Sequence, residues 1–175
     1  MLTTARLELS QPVAADLAGV AAMVAPETVR RFLGNRPVDM AAEYARFARN
    51  AGSWALYGYG SFMVRERGSA PIIGICGVFH SWRGFDQGFD DTPEIGWIIG
   101  DTAWGRGYAT EAARAALAWF DHMQGPRRIA CMIEQDNTPS FAIAARLGFV
   151  AYAQQDYGGR MLSLLQRGED APKLV

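Results

Sequence analysis

An α+β domain is what this sequence predicts, on three observations. A strand-like alternation in "RLELS" (6–10) runs straight into a helical stripe, two β-rich runs at 61–67 and 72–79 flank a turn of Gly, Ser and Pro, and from residue 94 onward strand and helix patterns alternate. No segment repeats at a fixed period, which sets aside solenoids and coiled coils. With 175 residues, half of them apolar, the chain suits one substantial core, so a single domain over 1–175 is expected.

The elements follow in order. After "RLELS", the segment 13–24 places Leu17, Val20, Ala21 and Val24 on one stripe, with Asp16 expected as N-cap. "PETVRRFLGNRP" reads as a short basic turn of helix closed by Gly34 and Pro37, and 39–52 as a capped helix with Met40, Tyr44 and Phe47 on one face. "SFMVRER" and "IIGICGVF" form the hairpin around "GSAP", and "EIGWIIG" (94–100) continues the sheet. The intervening "HSWRGFDQGFDDTP" (80–93) has the composition of a loop. A helix over 107–123, a strand at 127–133, a helix over 138–148 stopped by Gly148, and two closing strands near "FVAYAQQ" and "RMLSLLQR" complete the chain.

Charge and composition exclude several classes of function. Seventeen basic and eighteen acidic side chains are dispersed along the chain for a net charge of −1, leaving no basic track for nucleic acid. Arg6 and Glu8 lie in the first ten residues without an apolar run behind them, and nowhere do about 18 consecutive apolar residues occur. No membrane segment and a cytoplasmic location are therefore expected. Cys76 and Cys131 lie in apolar surroundings and read as reduced core residues, while His80 and His122 lack partners at metal or triad spacing. No metal is expected.

The stretch that carries chemistry is "WGRGYATEAARAALAWF" (104–120). Ala109, Ala112, Ala113, Ala116, Leu117 and Phe120 recur at spacings of three and four, so the helix packs by a small-residue face. Its first amides are left free, and with the positive end of the helix dipole they form an anion cradle. Gly105 and Gly107 let a pyrophosphate approach the backbone, Arg106 adds a charge and Thr110 a hydroxyl. A glycine before a helix is also an ordinary turn. The segment lacks the Gly-Lys-Ser/Thr ending of a Walker loop and the third glycine of a dinucleotide fingerprint.

This stretch resembles the acetyl-CoA-binding motif of the GNAT superfamily of N-acetyltransferases, in its ribosomal-protein-alanine acetyltransferase-like (RimJ/RimL type) branch. The superfamily pattern Arg/Gln-x-x-Gly-x-Gly/Ala falls on Trp104, Gly105, Arg106, Gly107, Tyr108 and Ala109, and Trp104, which departs from it, suits the branch. "NTPSFAIAARLGF" (137–149) resembles the branch's Asn-x-x-Ser helix, and "TARLELSQPVAAD" (4–16) its opening. The resemblance implies a mixed, mostly antiparallel, centrally splayed sheet of about six to seven strands flanked by about four helices. Acetyl-CoA would be the co-substrate. Its pantetheine arm would lie along Trp97, Ile98 and Ile99, where a strand diverging from its neighbour at Arg128 would present free backbone groups.

The same resemblance assigns roles. Glu94 would act as base through water, although a glutamate ending a strand is as often a solvated rim charge. The amide of Ile98 or Ile99 would contact the oxyanion. The superfamily's thiolate-donating tyrosine falls on Ala144, so Ser140 takes that role, and Asn137 would hydrogen-bond the cofactor arm. Asn137-Thr138-Pro139 is also an ordinary helix start. Trp54, Tyr57, Tyr59, Trp82, Phe85 and Phe89 border the acceptor side, where they suit a pocket, a core closure or the interface of a homodimer. Asp86, Asp90 and Asp91 could draw in a cationic amine or lie solvated in a loop. The expected reaction moves acetyl to a primary amine, a protein N-terminus or a small amine, by direct attack. The alternatives are an acyl-CoA-binding module without catalysis and a purely structural domain.

Overall fold

The computed structural model describes residues 1–35 and 37–168. Arg36, within the expected basic turn, and residues 169–175 of the expected domain lie outside them. In chain order the elements are β1 (Leu2–Thr3), β2 (Leu7–Ser10), α1 (Asp16–Val24), α2 (Glu27–Arg30), α3 (Met40–Tyr57), β3 (Ser61–Glu66), β4 (Gly74–His80), β5 (Pro93–Ile99), α4 (Tyr108–Gln124), β6 (Ile129–Glu134), α5 (Thr138–Arg146), β7 (Val150–Asp156) and β8 (Met161–Arg167). The α+β class holds. The strand beyond the expected number is the two-residue β1, too short to show a period, and the four-residue α2 is the expected short basic turn of helix.

One sheet runs in the order β1-β2-β3-β4-β5-β6-β8-β7. Its pairs are antiparallel except β5 with β6. β4 and β5 pair through seven residues, from Gly74 opposite Ile99 to His80 opposite Pro93, whereas the parallel contact of β5 with β6 consists of Glu94 opposite Ala130 alone. The sheet therefore opens beyond Glu94, as expected for the splay.

Side-chain burial fixes which face covers what. α4 buries Ala112, Ala113, Ala116, Leu117 and Phe120, and its methyl-sized side chains let the helix sit close on Cys76, Val78, Ile95 and Ile99. On the opposite face Met23, Val24 and Val29 of the α1–α2 region pack with Ile75 and Ile98. Phe85 and Phe89 close the second half of that face over Ala130, Leu162 and Leu164.

Two expectations change. Ala15, not Asp16, occupies the N-cap of α1. Asp16 opens the helix buried, accepting from the Val13 amide (2.9 Å) and pairing with Arg65 (2.5 Å), because a carboxylate in the first turn gains from the helix dipole and from that arginine. α3 runs to Tyr57 rather than stopping at residue 52, and its Met40–Tyr44 face is solvent-exposed. The helix is held instead by its C-terminal half, where Trp54 meets Phe62 and Trp119 at centroid distances of 4.9 and 5.3 Å.

Candidate active site

The backbone of β5 sets the geometry. The Gly100 amide donates to the Ile73 carbonyl (2.9 Å), and backbone groups alternate sides along an antiparallel ladder. Gly96 and Ile98 therefore spend their amides on β4, while Trp97 and Ile99 turn theirs toward the gap with β6. Of the two amides expected for an oxyanion, Ile99 faces the gap and Ile98 does not. The Ile99 carbonyl is capped by the Trp104 indole (2.7 Å).

Past the C-terminal end of β5 lies the glycine loop. Gly105 and Gly107 have φ of +75° and +77°, a left-handed conformation that side chains disfavour. Gly107 is the N-cap of α4 and gives no side-chain cap, so the first amides of the helix remain open, including those of Ala109 and Thr110. Arg106 points away from them to Glu66 (2.9 Å), which also accepts from the Tyr108 hydroxyl (2.8 Å). Arg6 braces the loop from the position before β2, donating through Nη1 to the Arg106 carbonyl (2.8 Å) and through Nε to Glu111 (2.7 Å). Partial burial pushes the Glu111 pKa up, but hydrogen bonds from Thr4 and Arg6 and the Arg6 charge outweigh it and hold the carboxyl below its ordinary value.

Beside the loop opens a groove of about 680 Å³ that includes Arg6, Gly107, Thr110, Arg114 and Arg146. Among the described residues Arg114 and Arg146 have no carboxylate partner, so two free guanidiniums flank the helix N-terminus. The sequence reading missed both. Arg114 sits one turn beyond Thr110 and Arg146 ends α5, and only the packing of the two helices brings them to one groove.

At the other end of the gap Glu94 is 2% exposed. Oε1 accepts from Arg83 Nη2 (2.7 Å), and Oε2 from Arg83 Nε (2.7 Å) and the Ser81 hydroxyl (2.6 Å). Glu94 is thus a buried, paired carboxylate and not a solvated rim charge. Arg83 and Ser81 come from the 81–92 loop, which composition alone marked as irregular.

α5 presents the remaining candidates. Asn137 caps it, its Oδ1 accepting the Ser140 amide (3.3 Å), which leaves the Asn137 side-chain NH2 uncommitted. The Ser140 hydroxyl oxygen accepts from the Trp97 indole (3.2 Å) across the gap. Trp97 and Ser140 thus meet across the gap, and the loop of Gly105 and Gly107 with the first turn of α4 follows the C-terminal end of β5.

Comparison with known proteins decides the family. The acetyltransferase (GNAT) domain family matches residues 6–150. The chain belongs to the GNAT family. The GNAT fold is shared with a protein assigned to the GnaT acetyltransferase family from Bordetella pertussis, 33% identical, with a TM-score of 0.86 over 95% of this chain and 98% of that one. RimL, a ribosomal L7/L12 alpha-N-protein acetyltransferase solved in complex with coenzyme A, is 15% identical with a TM-score of 0.76 over 97% and 98% of the two chains, a likeness of fold. Among curated proteins, the uncharacterized N-acetyltransferase p20 of Bacillus licheniformis is 32% identical over 89 residues, 51% of this chain and 46% of that protein. The matched stretch spans about half the length of the curated relatives.

Elsewhere in this GNAT domain the aromatic candidates separate. Phe85 and Phe89 are core, Trp54 and Tyr59 are packed against Phe62, Trp119 and Phe120, and Trp82 alone in the loop is 72% exposed. Of the loop aspartates, Asp90 accepts the Arg83 amide (2.7 Å) and Asp91 lies 3.3 Å from His80. Burial pushes the Cys76 thiol up to about 12, and burial together with the Glu94 charge raises that of Cys131, so neither thiol supplies a nucleophile. Among the described residues no helix is long and apolar enough to cross a membrane, and no cluster of three His, Cys, Asp or Glu could hold a metal ion.

Proposed function

We propose that this chain is an acyl-CoA-dependent N-acetyltransferase, one domain over 1–175, which moves acetyl from acetyl-CoA to a primary amine by direct attack in a ternary complex. The observation that carries this reading is the single-bridge opening between β5 and β6, with an uncapped helix N-terminus at one end and Glu94 at the other. The residues suit coenzyme A. Gly105 and Gly107 expose backbone for a pyrophosphate, and Arg114 and Arg146 flank it with positive charge. The open backbone of Trp97 and Ile99, and the side-chain NH2 of Asn137, meet an amide-bearing arm. That RimL was solved with coenzyme A supports the same occupant.

Each residue then has a chemical task. The Ile99 amide stabilises the oxyanion that forms when the amine attacks the thioester carbonyl. Oε1 of Glu94 has Arg83 as its one partner and keeps a lone pair for a water, which relays a proton from the amine. Ser140, in the first turn of α5, donates a hydrogen bond to the departing thiolate, assisted by the helix dipole. The acceptor is a protein N-terminus or a small amine, and the reaction belongs in the cytoplasm, where buried free cysteines such as Cys76 and Cys131 persist.

The test is a thermal-shift titration with acetyl-CoA and with desulfo-CoA, followed by amines and N-terminal peptides scored for thiol release. A ligand at about 100 times its Kd stabilises the native state by about 2.7 kcal/mol, so a Tm that keeps rising with ligand concentration is expected from both compounds. No shift in folded, cofactor-free protein would end the proposal. A shift with no thiol release across the acceptor panel would leave a CoA-binding module.

A further inference from the structure

We infer that Trp97 is a positioning residue for the leaving group: its indole N–H fixes the Ser140 hydroxyl as an acceptor on one side, so that the Ser140 proton is aimed at the coenzyme A sulfur. This rests on the reading above, in which coenzyme A occupies the gap. The observation is the hydrogen bond from Trp97 Nε1 to Ser140 Oγ at 3.2 Å, which joins β5 to the first turn of α5 across the opening of the sheet.

The chemistry of the two groups makes this bond directional. An indole N–H only donates, whereas a serine hydroxyl has one proton and two acceptor lone pairs. Trp97 therefore cannot take the Ser140 proton, and among the described residues the Ser140 hydroxyl donates no hydrogen bond. A hydroxyl left alone near a helix start could turn toward backbone carbonyls. With one lone pair held by Trp97 and its amide capped by Asn137 (3.3 Å), Ser140 keeps its proton for an incoming acceptor. The acceptor that fits is an anion, because α5 directs the positive end of its dipole to the same place.

The balance of the step is simple. The amine nitrogen forms a bond to the acetyl carbon, the C–S bond breaks, and its electron pair goes to sulfur as thiolate. The proton shed by the attacking nitrogen passes through the water beside Glu94, and Ser140 retains its own proton within a hydrogen bond to sulfur. Trp97 strengthens that bond by drawing electron density from Oγ, as linked hydrogen bonds polarise one another. Trp97 itself does not meet the reacting atoms.

The experiment needs no acceptor amine. Coenzyme A, the product, is bound to the protein and its thiol titrated by ultraviolet thiolate absorbance, in the wild type and in Ser140→Ala, Trp97→Phe and the double variant. Loss of the direct bond in Ser140→Ala raises the pKa of the bound thiol by about 1. Trp97→Phe raises it by about 0.3–0.5, and the double variant titrates with Ser140→Ala because Trp97 acts through that hydroxyl. Trp97→benzothienylalanine, which keeps the ring shape and lacks the N–H, should match Trp97→Phe and so separate the donor from the packing. An unchanged thiol pKa in both Trp97 variants, or effects that add in the double variant, would overturn the inference. Failure of the wild type to bind coenzyme A at all would instead overturn the function proposed above, and this inference with it.

Discussion

Removing Arg83 is the most informative single perturbation of this site. Glu94 keeps a side chain only 3% exposed, with three hydrogen bonds of which Arg83 supplies two. Arg83→Met leaves the carboxylate with Ser81 alone. Breaking a buried pair from one side costs about 3–5 kcal/mol, and since the Arg83 side chain is 21% exposed we take a loss of about 2–3 kcal/mol. For a chain of this length that is a fall of about 4–12 °C in Tm. Calorimetry of the wild type, Arg83→Met and Arg83→Met with Glu94→Gln is the assay. The double variant should regain most of the lost stability, since it buries no uncompensated charge. An unchanged Tm in Arg83→Met, or a double variant as unstable as the sum of its parts, would show that the pair does not hold the loop.

Further outcomes can be stated with their measurements. Arg114→Ala and Arg146→Ala, both in exposed positions, should each weaken coenzyme A binding by about 2–5-fold at low salt and by less at high salt, read by calorimetric titration. Gly107→Val should abolish that binding and lower Tm, because a β-branched residue at φ of +77° is strained by about 1–3 kcal/mol and its side chain intrudes on the cradle. Glu111 sits below its ordinary pKa, so its contribution is present above the unfolded value of about 4.5 and lost as pH falls through the folded one. Glu111→Gln should therefore lower stability at pH 7 by less than about 1 kcal/mol, given the exposure of Arg6, and match the wild type in acid. In hydrogen exchange, acetyl-CoA should protect the amides of Trp97 and Ile99 and leave those of Gly96 and Ile98, already paired with β4, unchanged.

What the sequence made legible was local. The alanine stripe of α4, the glycine loop before it, the β3–β4 hairpin and the Asn137 cap each follow from residues within one or two turns of one another, and each is present. The pairings that define the site are not of that kind. Trp97 meets Ser140 across 43 residues, and Glu94 finds Arg83 inside a loop whose composition signals only irregularity. Arg114 and Arg146 share a groove because two helices lie side by side, which no periodicity within either helix can report. The same limit explains α3. Met40, Tyr44 and Phe47 do share a helical face, but whether a face is covered depends on what packs there, and α3 is held further along by Asn50, Ser53 and Trp54.

The position of β5 argues for a ligand independently of any motif. A strand in the middle of an eight-stranded sheet ordinarily satisfies its backbone on both sides, and unpaired strand edges are a liability that proteins cover, twist or shorten. Here β5 is fully laddered to β4 and meets β6 at one residue pair, so the amides of Trp97 and Ile99 stay without a strand partner at the centre of the sheet rather than at its rim. The surrounding residues do not close the gap. They furnish it, with Trp104 covering one carbonyl, Ser140 and Asn137 supplying donors along one wall, and Glu94 held rigidly at the vertex. An opening retained at that cost in pairing suits the occupant proposed above, an extended molecule that hydrogen-bonds as a strand does and carries its negative charge to the start of α4.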